Sequence, residues 1–242
     1  SKLTGASLTD GTQVLQVNAW RNKWVAKSAE PVFKGYYTAG LDIPEPLDGD
    51  LSVPQGTGFV SYTVASAGTL TLAGKLPDGE AITGAAFAGP EGEILVYQLL
   101  YAGKGSIVGT LDIAPGTLGA DYNDSTVAGS ISWYKPVNTT RYYAPTGIGP
   151  LDLSVSGARY LPPQAPGLVL GLVDGLNNAR VAFSGARISA TTTTPDITVS
   201  IRTGNKVTLP AVNPDAVSLS VTASTGGFSG VFSLSDPVPS SV

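Results

Sequence analysis

The sequence predicts an all-β fold, a glycine-punctuated antiparallel β-barrel or β-sandwich of about fourteen strands, built as two related halves. Three observations predict it. Apolar and polar residues alternate from end to end, with almost no 3.6-residue periodicity. Turn-forming clusters interrupt that alternation at roughly strand-length intervals. A local pattern, apolar-x-Gly-x-apolar, recurs along the chain.

Taken in order, residues 1–30 read as an N-terminal strand segment, and 31–120 as the first β half. Phe59–Val64 and Gly68–Leu72 alternate as strands, as do Ile94–Tyr101, Ile197–Arg202 and Val217–Thr222. Pro77-Asp78-Gly79, Gly89-Pro90-Glu91-Gly92 and Thr203-Gly204-Asn205 carry the residues that tight turns require. The glycine pattern appears in 72–76, 107–111, 127–131 and 228–232, and more loosely in 155–159 and 183–187. In a strand its Gly and both apolar residues share one face, so a small residue between two bulky ones relieves crowding and permits a bend. Residues 121–235 form the second half, with Asp121–Ser125 as the hinge and the two halves fused into one body. Thr191–Thr194 before Pro195 read as a loop or edge strand, and 236–242 as an extended tail.

Composition narrows the function. Hydrophobic residues make up 42 % of the 242, enough for a sizeable core. Charged residues make up 13 %, against about 25 % in ordinary soluble domains, which suits a chain that lives in an assembly. A net charge of −4, with the basic residues scattered, argues against nucleic acid as a partner. Absence of Cys rules out disulfides and thiolate metal sites, and absence of His removes the usual general base. No apolar run has the length of a membrane helix, and Ser1–Thr12 lack a signal-peptide pattern, so a secreted chain would be a processed form.

Three sets of residues are candidates for chemistry. Carboxylate pairs at Asp78/Glu80, Glu91/Glu93 and Asp48/Asp50 would be needed by a hydrolase, yet all lie in turn sequences where acidic residues serve the backbone. Asp42, Glu45, Asp48 and Asp50 crowd one loop, and Asp121, Asn123 and Asp124 another; such hard-oxygen groups suit Ca²⁺, but neither loop has an EF-hand spacing, so solvated loops are the favoured reading and no cofactor is expected. Trp20 and Trp24 would share a face if their segment is a strand, and Trp133, Arg141, Tyr142 and Tyr143 form a second aromatic set. Such aromatics stack on sugars in binding modules; core packing or a subunit contact employs the same residues.

Several phrases together resemble a known module. Gly35-Tyr36-Tyr37-Thr38 precedes Gly56-Thr57-Gly58-Phe59 and Gly74-Lys75-Leu76-Pro77-Asp78-Gly79. Tyr97-Gln98-Leu99-Leu100-Tyr101, Trp133-Tyr134-Lys135-Pro136, Arg141-Tyr142-Tyr143, Asn177-Asn178-Ala179-Arg180 and Phe228-Ser229-Gly230 follow. The order is similar to that of a β-rich module near the C-termini of very large secreted bacterial cell-surface proteins. The resemblance implies location and architecture, and it transfers no catalytic residues. Members of that family usually continue past the strand that here ends near Leu234; if those further strands belong to the same barrel, an edge is left open to a neighbouring chain.

The expectation is therefore a non-enzymatic structural module of an extracellular or cell-surface assembly: a surface layer, a fibre or a giant adhesin. Its partners would be copies of itself or other surface proteins. The alternatives are a glycan- or ligand-binding β-module using the aromatics and, last, a carboxylate-dependent hydrolase.

Overall fold

A computed structural model describes residues 2–24, 32–47, 49–50, 52–137, 147–183 and 195–233. The chain divides into two compact units, Ser1–Tyr160 and Leu161–Val242.

The first unit opens with a hairpin of β1 (Lys2–Thr9) and β2 (Val14–Trp20). Asp10 holds its turn: the carboxylate accepts the Thr12 and Gln13 backbone N–H groups at 2.9 and 2.8 Å and the Thr12 hydroxyl at 2.7 Å. These bonds, the Gln13 N–H foremost, hold the Asp10 carboxyl down to about 2, below its ordinary 3.8. A depressed folded-state value means the contribution is complete above pH ~4 and disappears as pH falls through about 2. Following the side-chain carboxyl carbon by NMR should show Asp10 titrating near 2; a midpoint near 4 would mean that the turn is open.

Eight strands follow: β3 (Gly35–Asp42), β4 (Gly58–Val64), β5 (Thr69–Lys75), β6 (Ala81–Phe87), β7 (Glu93–Leu100), β8 (Gly105–Ala114), β9 (Thr126–Lys135) and β10 (Ile148–Arg159). They form one antiparallel sheet, in the order β6-β5-β4-β3-β10-β9-β8-β7. The sheet is thus two four-strand meanders joined through β3 and β10, where Leu41 faces Val155 and Tyr37 faces Arg159. It is nearly closed into a barrel. At the β6/β7 seam a single bridge, Ala88 to Ile94, replaces a ladder, and the Gln98 side-chain oxygen accepts the Thr83 N–H at 2.7 Å.

Hairpin chemistry repeats along the meanders. The loops 65–69, 76–80 and 89–93 share one pattern, in which the fourth residue donates its N–H to the first. That fourth residue is Gly68, Gly79 or Gly92, each at positive φ, where a side chain is strained.

The apolar rows point inward, and the outward rows carry Thr63, Thr71, Thr83, Ser130 and Ser154. Inside, Tyr37, Leu41, Tyr62, Ile94, Ile107, Leu111, Ile131, Trp133 and Leu153 are almost fully buried. Gly74, Gly109, Gly129 and Gly157 lie on the same inward rows. Each faces a bulky residue on at least one neighbouring strand: Gly74 lies between Val60 and Ile82, Gly109 between Val96 and Ile131, and Gly129 between Leu111 and Val155. Small against large fills a tapering interior and lets the strands coil tightly. Within the barrel the recurring glycine pattern is therefore a device of curvature, whereas its copy at 228–232 belongs to the second unit.

Tyr37 and Tyr62 stack with centroids 5.3 Å apart. The Tyr37 hydroxyl donates to the Phe33 carbonyl at 3.1 Å, whereas the buried Tyr62 hydroxyl has no partner among the described residues. Burial pushes the Tyr62 phenol far above its usual range. An unpaired buried hydroxyl costs about 1–3 kcal/mol, so Tyr62→Phe should raise the stability by about 1 kcal/mol, read as a higher urea midpoint. A neutral or destabilising result would mean that the hydroxyl is satisfied by water.

The second unit holds a three-stranded sheet of β11 (Ala179–Ala182), β12 (Asp196–Arg202) and β13 (Lys206–Thr208), and a hairpin of β14 (Ser218–Thr222) and β15 (Gly227–Val231). Its own core gathers Val169, Ile197, Val199, Ile201 and Val217. Asparagine amides act here as substitute strand partners. Asn178 exchanges two hydrogen bonds with the Ile201 backbone, and Asn213 does the same with Val217.

The described residues form fifteen strands, in agreement with the expected number of about fourteen. One sequence expectation is corrected. The proposed hinge at Asp121–Ser125 is the turn between β8 and β9, inside the large sheet, so the 31–120 and 121–235 halves do not exist as such. The repeat within the barrel is instead β3–β6 against β7–β10. Thr191–Thr194 and the 236–242 tail lie outside the described residues, as does most of the glycine pattern at 183–187.

Candidate functional site: a buried ion pair at one mouth of the barrel

The inward row of β9 runs Val127, Gly129, Ile131, Trp133, Lys135. Period-2 alternation therefore carries a lysine into the apolar interior at the strand's end. Its side chain is completely buried, and Nζ lies 3.3 Å from Asp78 Oδ2, itself 1 % exposed. Asp78 comes from the β5/β6 turn, which Pro77 and Gly79 hold tight. The two Asp78 oxygens are held differently. Oδ1 accepts the Glu80 backbone N–H at 3.0 Å, and Oδ2 accepts the Tyr101 hydroxyl at 2.8 Å as well as facing Lys135. Tyr101, in the turn after β7, accepts in turn the Trp133 indole N–H at 3.1 Å.

Burial first, and then the adjacent Asp78 carboxylate, push the Tyr101 phenol far above its usual range, so it keeps its proton and donates it. Taking two charges out of water costs several kcal/mol per ion, which close pairing and additional hydrogen bonds must offset. The cluster supplies both. Chemically the arrangement is an amine against a carboxyl group, with a hydroxyl on one oxygen and an amide N–H on the other, in a site walled by Trp133.

Asp78, Tyr101, Trp133 and Lys135 belong to three of the phrases on which the resemblance rests. In the sequence Asp78 reads as half of a carboxylate pair with Glu80, and neither Tyr101 nor Lys135 stands out as a site residue. The available signal was parity, since a lysine on an apolar inward row needs a buried partner.

The other candidates are placed as follows. β2 ends at Trp20, so Trp20 and Trp24 do not share a strand face. Trp20 is half-buried beside Gly89. Trp24 is buried at the opposite mouth: its indole N–H donates to the Ala88 carbonyl at 2.7 Å, and its ring covers Gly68 and meets Phe33 edge-on at 5.7 Å. Trp24 and Trp133 are therefore core residues, not an exposed platform. Arg141, Tyr142, Tyr143 and Asp48 lie outside the described residues.

The acidic loops are occupied by turn bonding. Asp42 accepts the Thr57 hydroxyl at 2.9 Å, and Asp50 accepts the Ser52 N–H at 2.8 Å. Asp124 binds the Thr117 N–H and hydroxyl at 2.8 and 3.1 Å. Glu45 is exposed in a short 3-10 turn, the Asp121 carbonyl accepts an Arg159 N–H at 2.9 Å, and the Asn123 N–H donates to the Ala120 carbonyl. Among the described residues no three acidic side chains converge as a metal site would require. Glu91 and Glu93 both bind Lys2, which pins the first hairpin to the β6/β7 turn.

No described helix is long and apolar enough to cross a membrane. Comparison of the chain with family models, with curated proteins and with solved structures gives no match.

Proposed function

We propose that the chain is a structural module of an extracellular or cell-surface assembly, with no catalytic step of its own and with copies of itself or other surface proteins as partners. The observation that carries this reading is the barrel interior. A small eight-strand barrel either holds a ligand or is filled by its own side chains. Here Tyr37, Tyr62 and Trp133 fill it, while Trp24 and the Lys135–Asp78 pair lie buried at its two mouths. Support also comes from the low charge content and from the resemblance to modules of giant surface proteins. The outer wall near the seam adds an apolar row, Leu95, Tyr97 and Leu99 on β7 beside Val108 on β8, all at least half exposed. Exposed rows of this kind mark contact surfaces.

The test is the native mass of the purified protein, with negative-stain imaging of the same fraction. Ordered filaments, sheets or rings are expected. A strict monomer of 24.6 kDa at all concentrations would overturn the reading.

A further inference from the structure

We infer that Lys135 and Asp78 condense, without any added enzyme or cofactor, to an internal isopeptide bond. The geometry supplies each requirement of that step. The amine lies against the carboxyl group, with Nζ 3.3 Å from Oδ2, an oxygen bonded to the carbon that it attacks. Both side chains are shut off from water, at 0 % and 1 % exposure, so the product is not readily hydrolysed. The two carboxyl oxygens are already told apart. Oδ1, held by the Glu80 N–H, is placed to remain as the amide oxygen, and that N–H stabilises the charge it carries in the tetrahedral intermediate. Oδ2, held by the Tyr101 hydroxyl, is placed to leave.

The step balances with no external reactant. Within the pair one proton passes from the ammonium to the carboxylate, which removes two buried charges. The Nζ lone pair then attacks Cγ, forming the C–N bond. Tyr101 delivers a proton to Oδ2 and regains one from the nitrogen, the Cγ–Oδ2 bond breaks, and one water departs. Nothing is oxidised or reduced. The product replaces a buried ion pair by a neutral amide. It ties the β5/β6 turn to the end of β9, and so joins the two meanders that the seam leaves without a ladder. In a chain with no cysteine, it is a covalent closure that needs no oxidant.

The experiment is intact-mass spectrometry of the folded full chain, followed by digestion and fragment sequencing. The expected mass is lighter than that of the sequence by one water, with a branched peptide joining the segments that contain Asp78 and Lys135. Lys135→Arg keeps a cation opposite Asp78 and cannot form the bond, so its mass should equal its own sequence mass. Tyr101→Phe, which keeps the ring, should slow the appearance of the lighter species on incubation. A wild-type chain that stays at full sequence mass overturns the proposal. So does a loss of water that persists in Lys135→Arg, because Asp78-Gly79 can lose the same mass by cyclising on its own backbone.

Discussion

Replacing Gly109 by valine is expected to destabilise the first unit by about 3 kcal/mol or more, at the upper end of what overpacking a core costs. Gly109 sits on the inward row of β8, and a Cβ there would stand 2.1 Å from the Ser130 carbonyl oxygen and 2.7 Å from the Ile131 Cα. Both are backbone atoms of β9, so no side-chain rotation relieves the collision; the two strands must separate. In a unit of this size such a loss lowers Tm by roughly 6–12 °C. Gly119→Ala is the matched control, since it lies in a turn with nothing near its missing Cβ, and it should be neutral within about 0.5 kcal/mol. Urea unfolding followed by tryptophan fluorescence separates the two. If Gly109→Val unfolds at the wild-type midpoint, the inward glycines do not set the curvature of the barrel.

Lys135→Met should cost about 3–5 kcal/mol, because it leaves the Asp78 carboxylate buried without its cation. Methionine preserves most of the aliphatic volume, so packing contributes little to the loss. The effect should be largely reversed in Lys135→Met/Asp78→Asn. There the carboxamide oxygen still accepts the Glu80 N–H, the NH2 group turns to the Tyr101 oxygen as a donor, and the Asp78 charge is removed together with that of Lys135. Where the two side chains are joined covalently in the wild type, the single variant loses the tie as well and falls further. A double variant as unstable as the single would show that the volume and shape of the lysine chain matter rather than its charge.

The strands were legible because each repeats a two-residue period against hairpin chemistry that is local: Phe59–Val64, Ile94–Tyr101 and Ile197–Arg202 lie within a residue of β4, β7 and β12. The inward glycines were legible for the same reason. What the sequence hid is long-range. Asp121–Ser125 has the composition of a linker, but a tight turn has the same composition; positive φ at Asp121 and Tyr122 turns the chain straight back into the sheet. Trp20 and Trp24 looked paired because strand parity was extended past the point where β2 stops. The ion pair is the clearest case. Lys135 was visible as an inward residue, but its partner lies in a turn on another meander, and only closure of the barrel brings the two together. Local periodicity carries no term for that.

The way the barrel closes also decides how it would answer a pulling force. β3 begins and β10 ends at the same mouth, side by side, with the Tyr160 N–H bonded to the Tyr36 carbonyl. Tension drawn along the chain through these two ends would open their ladder one hydrogen bond at a time, as a zip opens, rather than loading all the bonds in shear. The unit would therefore yield early and extend in steps, a shock absorber rather than a cable. A Lys135–Asp78 bond changes how far it could run. With the chain between 78 and 135 held in a closed loop, roughly 190 Å of contour would be withheld from extension, and the zip would stop part of the way down.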